Sequence, residues 1–224
     1  MWGERLGGFV HLLKCGGMSI RRLVPAHDNL RWMVFRSDWA RDHFDEHPEA
    51  ASTVTFVEDL DDDARARLYP FTFVRNPWAR VVSVWQMYED ERRRTRFSGH
   101  RTFEELVELV CDPAIGCTRQ PGHATLRDWF QSPECIKSHV APCVDEIRRW
   151  TDAGFQFGHL GRCETFAEDW AVVGGALGIV AVLPHENRTA HRHYSSYYRP
   201  ETQAKIAELL AADIAAFDYR FERP

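Results

Sequence analysis

The run Phe9-Val10-His11-Leu12-Leu13-Lys14-Cys15-Gly16-Gly17-Met18-Ser19-Ile20 constrains this chain more than any other stretch. An apolar segment ends in a lysine, two glycines and a serine, then continues into residues that suit a helix. The pattern predicts a strand, a tight loop and a helix. Such a loop turns backbone N–H groups and a helix N-terminus toward one point, where a phosphate-like anion fits. Lys14 adds a mobile positive charge beside it. A glycine pair after a strand can also be nothing more than a turn, so the segment needs a second signal. The G-x-x-x-x-G-K-[ST] pattern of ordinary ATPases and GTPases is absent, because the lysine here precedes the glycines.

The second signal lies further on. Phe71-Thr72-Phe73-Val74 is a short β-prone run, followed by Arg75-Asn76-Pro77-Trp78-Ala79-Arg80-Val81-Val82-Ser83. Proline suits the first turn of a helix. Arg75 then falls at the end of a strand, and Ser83 about two turns into the helix. Ligands of open α/β sheets bind at the carboxyl ends of strands. The chain therefore carries two strand-to-helix junctions, each with a cation and a hydroxyl, which suits a ligand with two separated anionic groups.

Together the two junctions resemble the signature motifs of sulfotransferases that use 3'-phosphoadenosine-5'-phosphosulfate (PAPS). The first is similar to H-I-P-K-T-G-G-T-S, which holds the 5'-phosphosulfate, and the second to F-V-R-N-P-W-x-R-x-x-S, which holds the 3'-phosphate. Gly161-Arg162-Cys163-Glu164-Thr165-Phe166 with Asp169-Trp170 resembles the G-R-F-E-N-L…D-W segment of the carbohydrate-type branch. The stretches Leu183–Thr189, Tyr197–Thr202 and Asp213–Phe221 resemble the C-terminal part of that branch. Cys15 and Met18 stand where the family usually has threonines, and Leu13 where it has proline, so two ligand-facing hydroxyls are lost. The resemblance implies a three-layer α/β/α fold of the P-loop NTPase type, with a central, mostly parallel sheet, in one sulfotransferase domain over residues 1–224.

The resemblance also implies a chemistry. An acceptor oxygen attacks sulfur in line, and 3'-phosphoadenosine-5'-phosphate (PAP) leaves. Protein assistance is positioning and electrostatic stabilisation. Lys14 neutralises charge on the leaving oxygen, and the Lys14, Cys15, Gly16, Gly17, Met18 and Ser19 loop holds the 5'-phosphate. Arg75 and Ser83 hold the 3'-phosphate and select PAPS over ATP, and no metal is required. A hydroxyl acceptor needs a general base. His139, in Ser138-His139-Val140-Ala141-Pro142-Cys143, resembles the family's H-x-x-P-Q segment. His123 is second choice, and His185, His191 and His193 lie in a polar C-terminal loop. His11, on the first strand, reads as structural. The acceptor expected is a glycan or glycosylated metabolite. The alternatives are a nucleotide-dependent kinase, or a non-catalytic nucleotide-binding protein, on the same fold.

Composition narrows the partners. A net charge of −5 gives no global basic field for nucleic acid or a heavily sulfated polymer. Arg92-Arg93-Arg94 with Arg96 reads as a solvated face, or as a rim that attracts an acidic acceptor. The six cysteines form no C-x-x-C pair, so zinc is not expected despite eleven histidines. Reduced thiols in a cytoplasmic enzyme are expected, with disulfides among Cys111, Cys117, Cys135 and Cys143 as the alternative. Neither a signal core nor an apolar run of membrane-spanning length is present. The oligomeric state is not legible.

Apolar periodicity predicts strands near 8–13, 32–35, 54–57, 71–74, 157–161 and 178–182. Helices are expected after residue 17, near 59–67, from Pro77 to about Arg94, and at 103–110, 143–151, 166–177 and 200–217. Asp112 to Pro142 has little periodicity and reads as an irregular, acceptor-binding segment.

Overall fold

Strand β1 (Leu6–Val10) lies at the centre of a five-stranded sheet and directs the fold around it. The structure, a computed structural model, describes residues 5–36, 40, 44, 53–89, 102–117, 132–183 and 192–224. The other strands are β2 (Leu30–Val34), β3 (Val54–Phe56), β4 (Leu68–Val74) and β5 (His159–Arg162). Their order is β3-β2-β1-β4-β5, and all four pairings are parallel. The chain moves outward from β1 to β2 and β3, then returns to the other side of β1 for β4 and β5. That reversal makes the carboxyl ends of β1 and β4 the topological switch point, where open α/β sheets bind ligands.

The described chain forms two compact units. The first comprises Met1–Val74 and Ile147–Arg188, and the second Arg75–Glu146 and Thr189–Pro224. The first unit holds the sheet with α1 (Gly17–Arg21), α2 (Asp62–Arg67), the C-terminal part of α6 (Cys143–Asp152) and α7 (Phe166–Leu177). Strand alternation sends Phe9, Trp32, Phe71 and Phe73 to one face, where they pack with Ile20 of α1 and Trp170, Val173 and Leu177 of α7. Val10 and Met33 face the other way, against Trp150, Phe155 and Leu68. The result is a three-layer helix–sheet–helix arrangement. Both faces are apolar, as a parallel sheet covered on both sides requires. Gly7 is needed for close approach, since a Cβ there would lie 2.5 Å from the Leu177 side chain.

The second unit is helical: α3 (Pro77–Glu89), α4 (Phe103–Cys111), α5 (Pro133–Ser138), the start of α6, α8 (Pro200–Leu209) and α9 (Ala211–Phe217). Its core is a separate cluster that includes Val81, Val84, Leu106, Val110, Ile136, Ile206 and Leu210. Thr102 and Glu105 close a reciprocal capping box at the start of α4.

Three expectations change. No strand forms at 178–182: Gly178 takes a left-handed φ of 69° and ends α7, and the Ile179 amide turns back to the Gly174 carbonyl at 2.8 Å. The next residues are tied to α7 instead of a ladder, with the Trp170 indole N–H donating to the Ala181 carbonyl at 2.7 Å. The expected irregular segment contains α5, started by Ser132, whose hydroxyl accepts from the Cys135 amide at 3.1 Å; residues 118–131 lie outside the described residues. The expected last helix breaks at Leu210 into α8 and α9. Arg92–Arg94 and Arg96 also lie outside the described residues.

Trp150 is fully buried, with the Phe35, Phe155 and Phe157 rings 4.7, 5.3 and 6.4 Å away. Trp150→Ala removes the largest group on that face of the sheet and is expected to cost about 3–5 kcal/mol, read from urea unfolding.

Candidate functional site

Thr72 marks where β1 leaves the sheet. Its buried hydroxyl donates to the Val10 carbonyl at 2.6 Å, extending the β1–β4 connection beyond the Phe9–Phe71 pair. The chain then makes a tight turn, with the Cys15 amide donating to the Leu12 carbonyl at 3.3 Å. Lys14 has φ 65° and Gly16 φ 78°, so two left-handed residues flank Cys15. For lysine that conformation is unfavourable, and such outliers concentrate at functional sites.

Two rings hold the loop in shape. A Cβ on Gly16 would lie 2.9 Å from the Phe166 ring, and one on Gly17 would lie within 2.3 Å of the His11 ring. His11 packs on Phe9 and Trp32, with centroids at 5.7 and 5.8 Å, and acts as a buttress beneath the glycines. Phe166 rests on Phe73 at 4.5 Å. Arg21, at the end of α1, lies over the Trp32 ring at 3.7 Å, a cation–π contact that anchors the short helix.

Cys15 is 1% exposed and its thiol turns inward to the Leu13 carbonyl at 3.6 Å. Ser19 is buried, and its amide is used by the Gly16 carbonyl at 3.1 Å. Among the described residues no acceptor takes the amides of Gly16, Gly17 and Met18. Three successive donors at a left-handed turn, beside a lysine, are an arrangement that could hold an anion.

The segment after β5 is shaped by Asp169. Its carboxylate accepts from His159 Nε2 at 2.7 Å, the Arg162 amide at 2.9 Å and the Thr165 hydroxyl at 2.6 Å. Burial pushes this carboxyl up, but the three donors outweigh it and hold it below its ordinary value. The segment they order leads into Phe166, the ring against Gly16.

In the second unit Arg75 is the first residue after β4, and the motif that follows divides by burial. Asn76 is 4% exposed and caps α3, its Oδ1 accepting from the Trp78 and Ala79 amides at 3.1 and 3.3 Å. Its Nδ2 donates to the Arg220 carbonyl at 3.0 Å. Trp78 is buried and donates its indole N–H to the Gln203 carbonyl at 3.1 Å. Arg80 is 2% exposed and faces Asp213. Arg75 and Ser83 are the half-buried polar residues of the motif. The capping role of Asn76 was available from sequence, as an Asn immediately before a first-turn proline.

His139 ends α5 and is half-buried. Its Nδ1 lies 2.7 Å from the Cys135 carbonyl. A carbonyl only accepts, so Nδ1 carries the proton and the neutral ring has its lone pair on Nε2. The Cys135 sulfur is 3.9 Å from the same nitrogen, but burial pushes that thiol up to about 12, so the pair is not a thiolate–histidine nucleophile. His193 is exposed, and its Nδ1 pairs with the Ser195 hydroxyl at 2.9 Å. His123, His185 and His191 lie outside the described residues. All six cysteines are free thiols. Among the described residues no helix is long and apolar enough to cross a membrane.

The five strands are all parallel, and the loop after the central one carries three successive backbone donors beside Lys14. Residues 10–220 match the sulfotransferase family, and the chain belongs to that family of transferases. Among solved structures, it is similar to a sulfotransferase from Alicyclobacillus acidocaldarius, with 16% identity over 98% of each chain and a TM-score of 0.47. A search of curated proteins found no match.

The backbone at Lys14 can be tested apart from its charge. Both Lys14→Gly and Lys14→Ala remove the side chain, but only glycine adopts the left-handed turn freely. Lys14→Gly is expected to be more stable than Lys14→Ala by about 1 kcal/mol in urea unfolding.

Proposed function

We propose that this chain transfers the sulfuryl group of PAPS to a hydroxyl of a carbohydrate or glycosylated small molecule. The observation that carries the reading is the left-handed Lys14–Gly17 turn, with its three donors and lysine, leaving the central strand of the sheet. In this reading the Gly16, Gly17 and Met18 amides bind the 5'-phosphate, Cys15 and Ser19 shape the loop, and Lys14 meets the charge that develops on the leaving oxygen. Arg75 and Ser83 bind the 3'-phosphate of the same nucleotide. His139 takes the acceptor proton on Nε2. Residues 1–224 are read as one sulfotransferase domain, and six free thiols suit a reducing cytoplasm.

Carbohydrate acceptors follow from the resemblance of the Gly161–Trp170 and C-terminal segments to the carbohydrate branch. Screening sugars and glycosides with sulfur-labelled PAPS tests that choice, and transfer confined to peptide or phenolic hydroxyls would reject it.

Two variants test the nucleotide reading. Arg75→Ala is expected to weaken PAP binding by about 1.5–3 kcal/mol, roughly 10–100-fold, in calorimetry, since it removes a charge-assisted hydrogen bond. A nucleotide lacking the 3'-phosphate should bind the variant and the parent protein alike. Equal losses for both nucleotides would remove Arg75 from the 3'-phosphate. Lys14→Ala is expected to lower single-turnover transfer about 10²–10³-fold with a much smaller effect on PAP affinity, because its charge matters most in the transition state.

A further inference from the structure

Arg80 and Asp213 form a buried ion pair for which the nucleotide and acceptor roles above leave no use. Both are 2% exposed, and Arg80 Nη1 lies 3.3 Å from Asp213 Oδ2. Isolated charges at such depth are strongly unfavourable, so the surroundings must satisfy them. The groups that do so belong to one short stretch. Arg80 Nη2 donates to the His139 carbonyl at 3.2 Å and to the Ala141 carbonyl, and Nη1 reaches the Cys143 sulfur at 3.1 Å. Asp213 takes the amides of Cys143 and Val144 at 2.9 and 3.0 Å, capping the start of α6. Between the end of α5 and the start of α6 the pair thus holds the carbonyls of His139 and Ala141 and the amides of Cys143 and Val144.

We infer that Arg80 and Asp213 are positioning residues for His139, clamping the backbone of the 139–144 stretch so that its ring keeps one tautomer and one direction. This rests on the reading of His139 as the base. The geometry supplies the reason for each residue type. Two carbonyls, a sulfur and a carboxylate arranged around one cation need a planar, multi-donor fork, which guanidinium provides and ammonium does not. Two neighbouring amides at a helix start need both oxygens of one carboxylate. Arg80 is on α3, the helix that begins two residues after Arg75 and carries Ser83 three residues beyond Arg80, and Asp213 is on α9. A change in the clamp therefore acts on the base through main chain, without removing a ligand contact. His139 Nδ1 reaches the Cys135 carbonyl, so the residue is held at its ring N–H and at its backbone C=O.

The test reads the ring itself. Protein labelled with nitrogen-15 in histidine, examined in long-range proton–nitrogen spectra above the imidazole pKa, reports which ring nitrogen carries the proton. The parent protein is expected to show His139 in the single Nδ1–H form. Arg80→Lys keeps the charge but loses the fork, and is expected to give His139 a mixture of tautomers while PAP binding in calorimetry persists. Single-turnover transfer to an acceptor found by the PAPS screen should fall roughly 10²-fold. An unchanged Nδ1–H signal in folded Arg80→Lys overturns the inference whatever happens to activity, because a purely structural role would lower the melting temperature and leave the tautomer alone. If Arg80→Lys does not fold, Asp213→Asn, which keeps the shape of the cap, is read the same way and decides the question. His139→Ala separates the two readings: normal transfer in that variant removes His139 as base, while a tautomer change in Arg80→Lys would still establish the clamp.

Discussion

A lysine held at φ 65° lies in a region that disfavours any residue with a Cβ by roughly 1–2 kcal/mol, and here it persists in a loop whose two glycines are pinned. His11 and Phe166 approach Gly17 and Gly16 so closely that neither position accepts a Cβ without displacement. Each ring is in turn held by the sheet: His11 lies against Phe9 and Trp32, and Phe166 against Phe73. The strained turn is thus paid for by aromatic packing on one face of the sheet. The same packing explains why Asp169, far from the loop in sequence, matters to it. It orders the residues that deliver Phe166.

The second unit solves a different problem with different means. Its polar organisation depends on buried charge rather than on backbone strain. Asn76, Arg80 and Asp213 are each buried, and each has donors or acceptors from elements distant in sequence. Such a network is unforgiving, because removing one partner leaves another buried without compensation. It therefore resists drift in the positions of the helices that carry it.

What was legible in the sequence follows the range of the interactions. The Lys14 loop is local: glycines, a cation and a strand ending lie within a dozen residues, and the strand–turn–helix pattern is readable from them. The helix at 166–177 is local too, with acids in its first turn and Gly178 at its end. The 178–182 segment misled because Ile179 and Ala181 pack inward while Val180 and Val182 are almost fully exposed, a period of two without a ladder. The Ile179 amide on the Gly174 carbonyl and the Trp170 indole on the Ala181 carbonyl tie this segment to α7 instead. Arg80 could be marked as structural, but its partner is 133 positions away, and no local pattern names it. The cap of α6 by Asp213 spans 70 positions and is equally hidden. His139 was identified by resemblance, whereas its tautomer depends on α5, which the irregular composition of that stretch concealed.

The departures at Cys15 and Met18 carry less weight once the loop is seen in three dimensions. A threonine at either position would add a hydroxyl to the loop. Yet the Cys15 side chain is directed into the loop, 1% exposed, toward the Leu13 carbonyl. Met18 is 43% exposed, and its sulfur accepts from Arg21 at 3.8 Å. The three successive donors of the loop belong to the backbone of Gly16, Gly17 and Met18, and backbone N–H groups survive any substitution except proline. What the loop cannot tolerate is a change that alters its curvature. The glycines, the two flanking rings, the left-handed lysine and the buried Cys15 are therefore the strict requirements, and the exposed side chain at 18 is the one with room to vary.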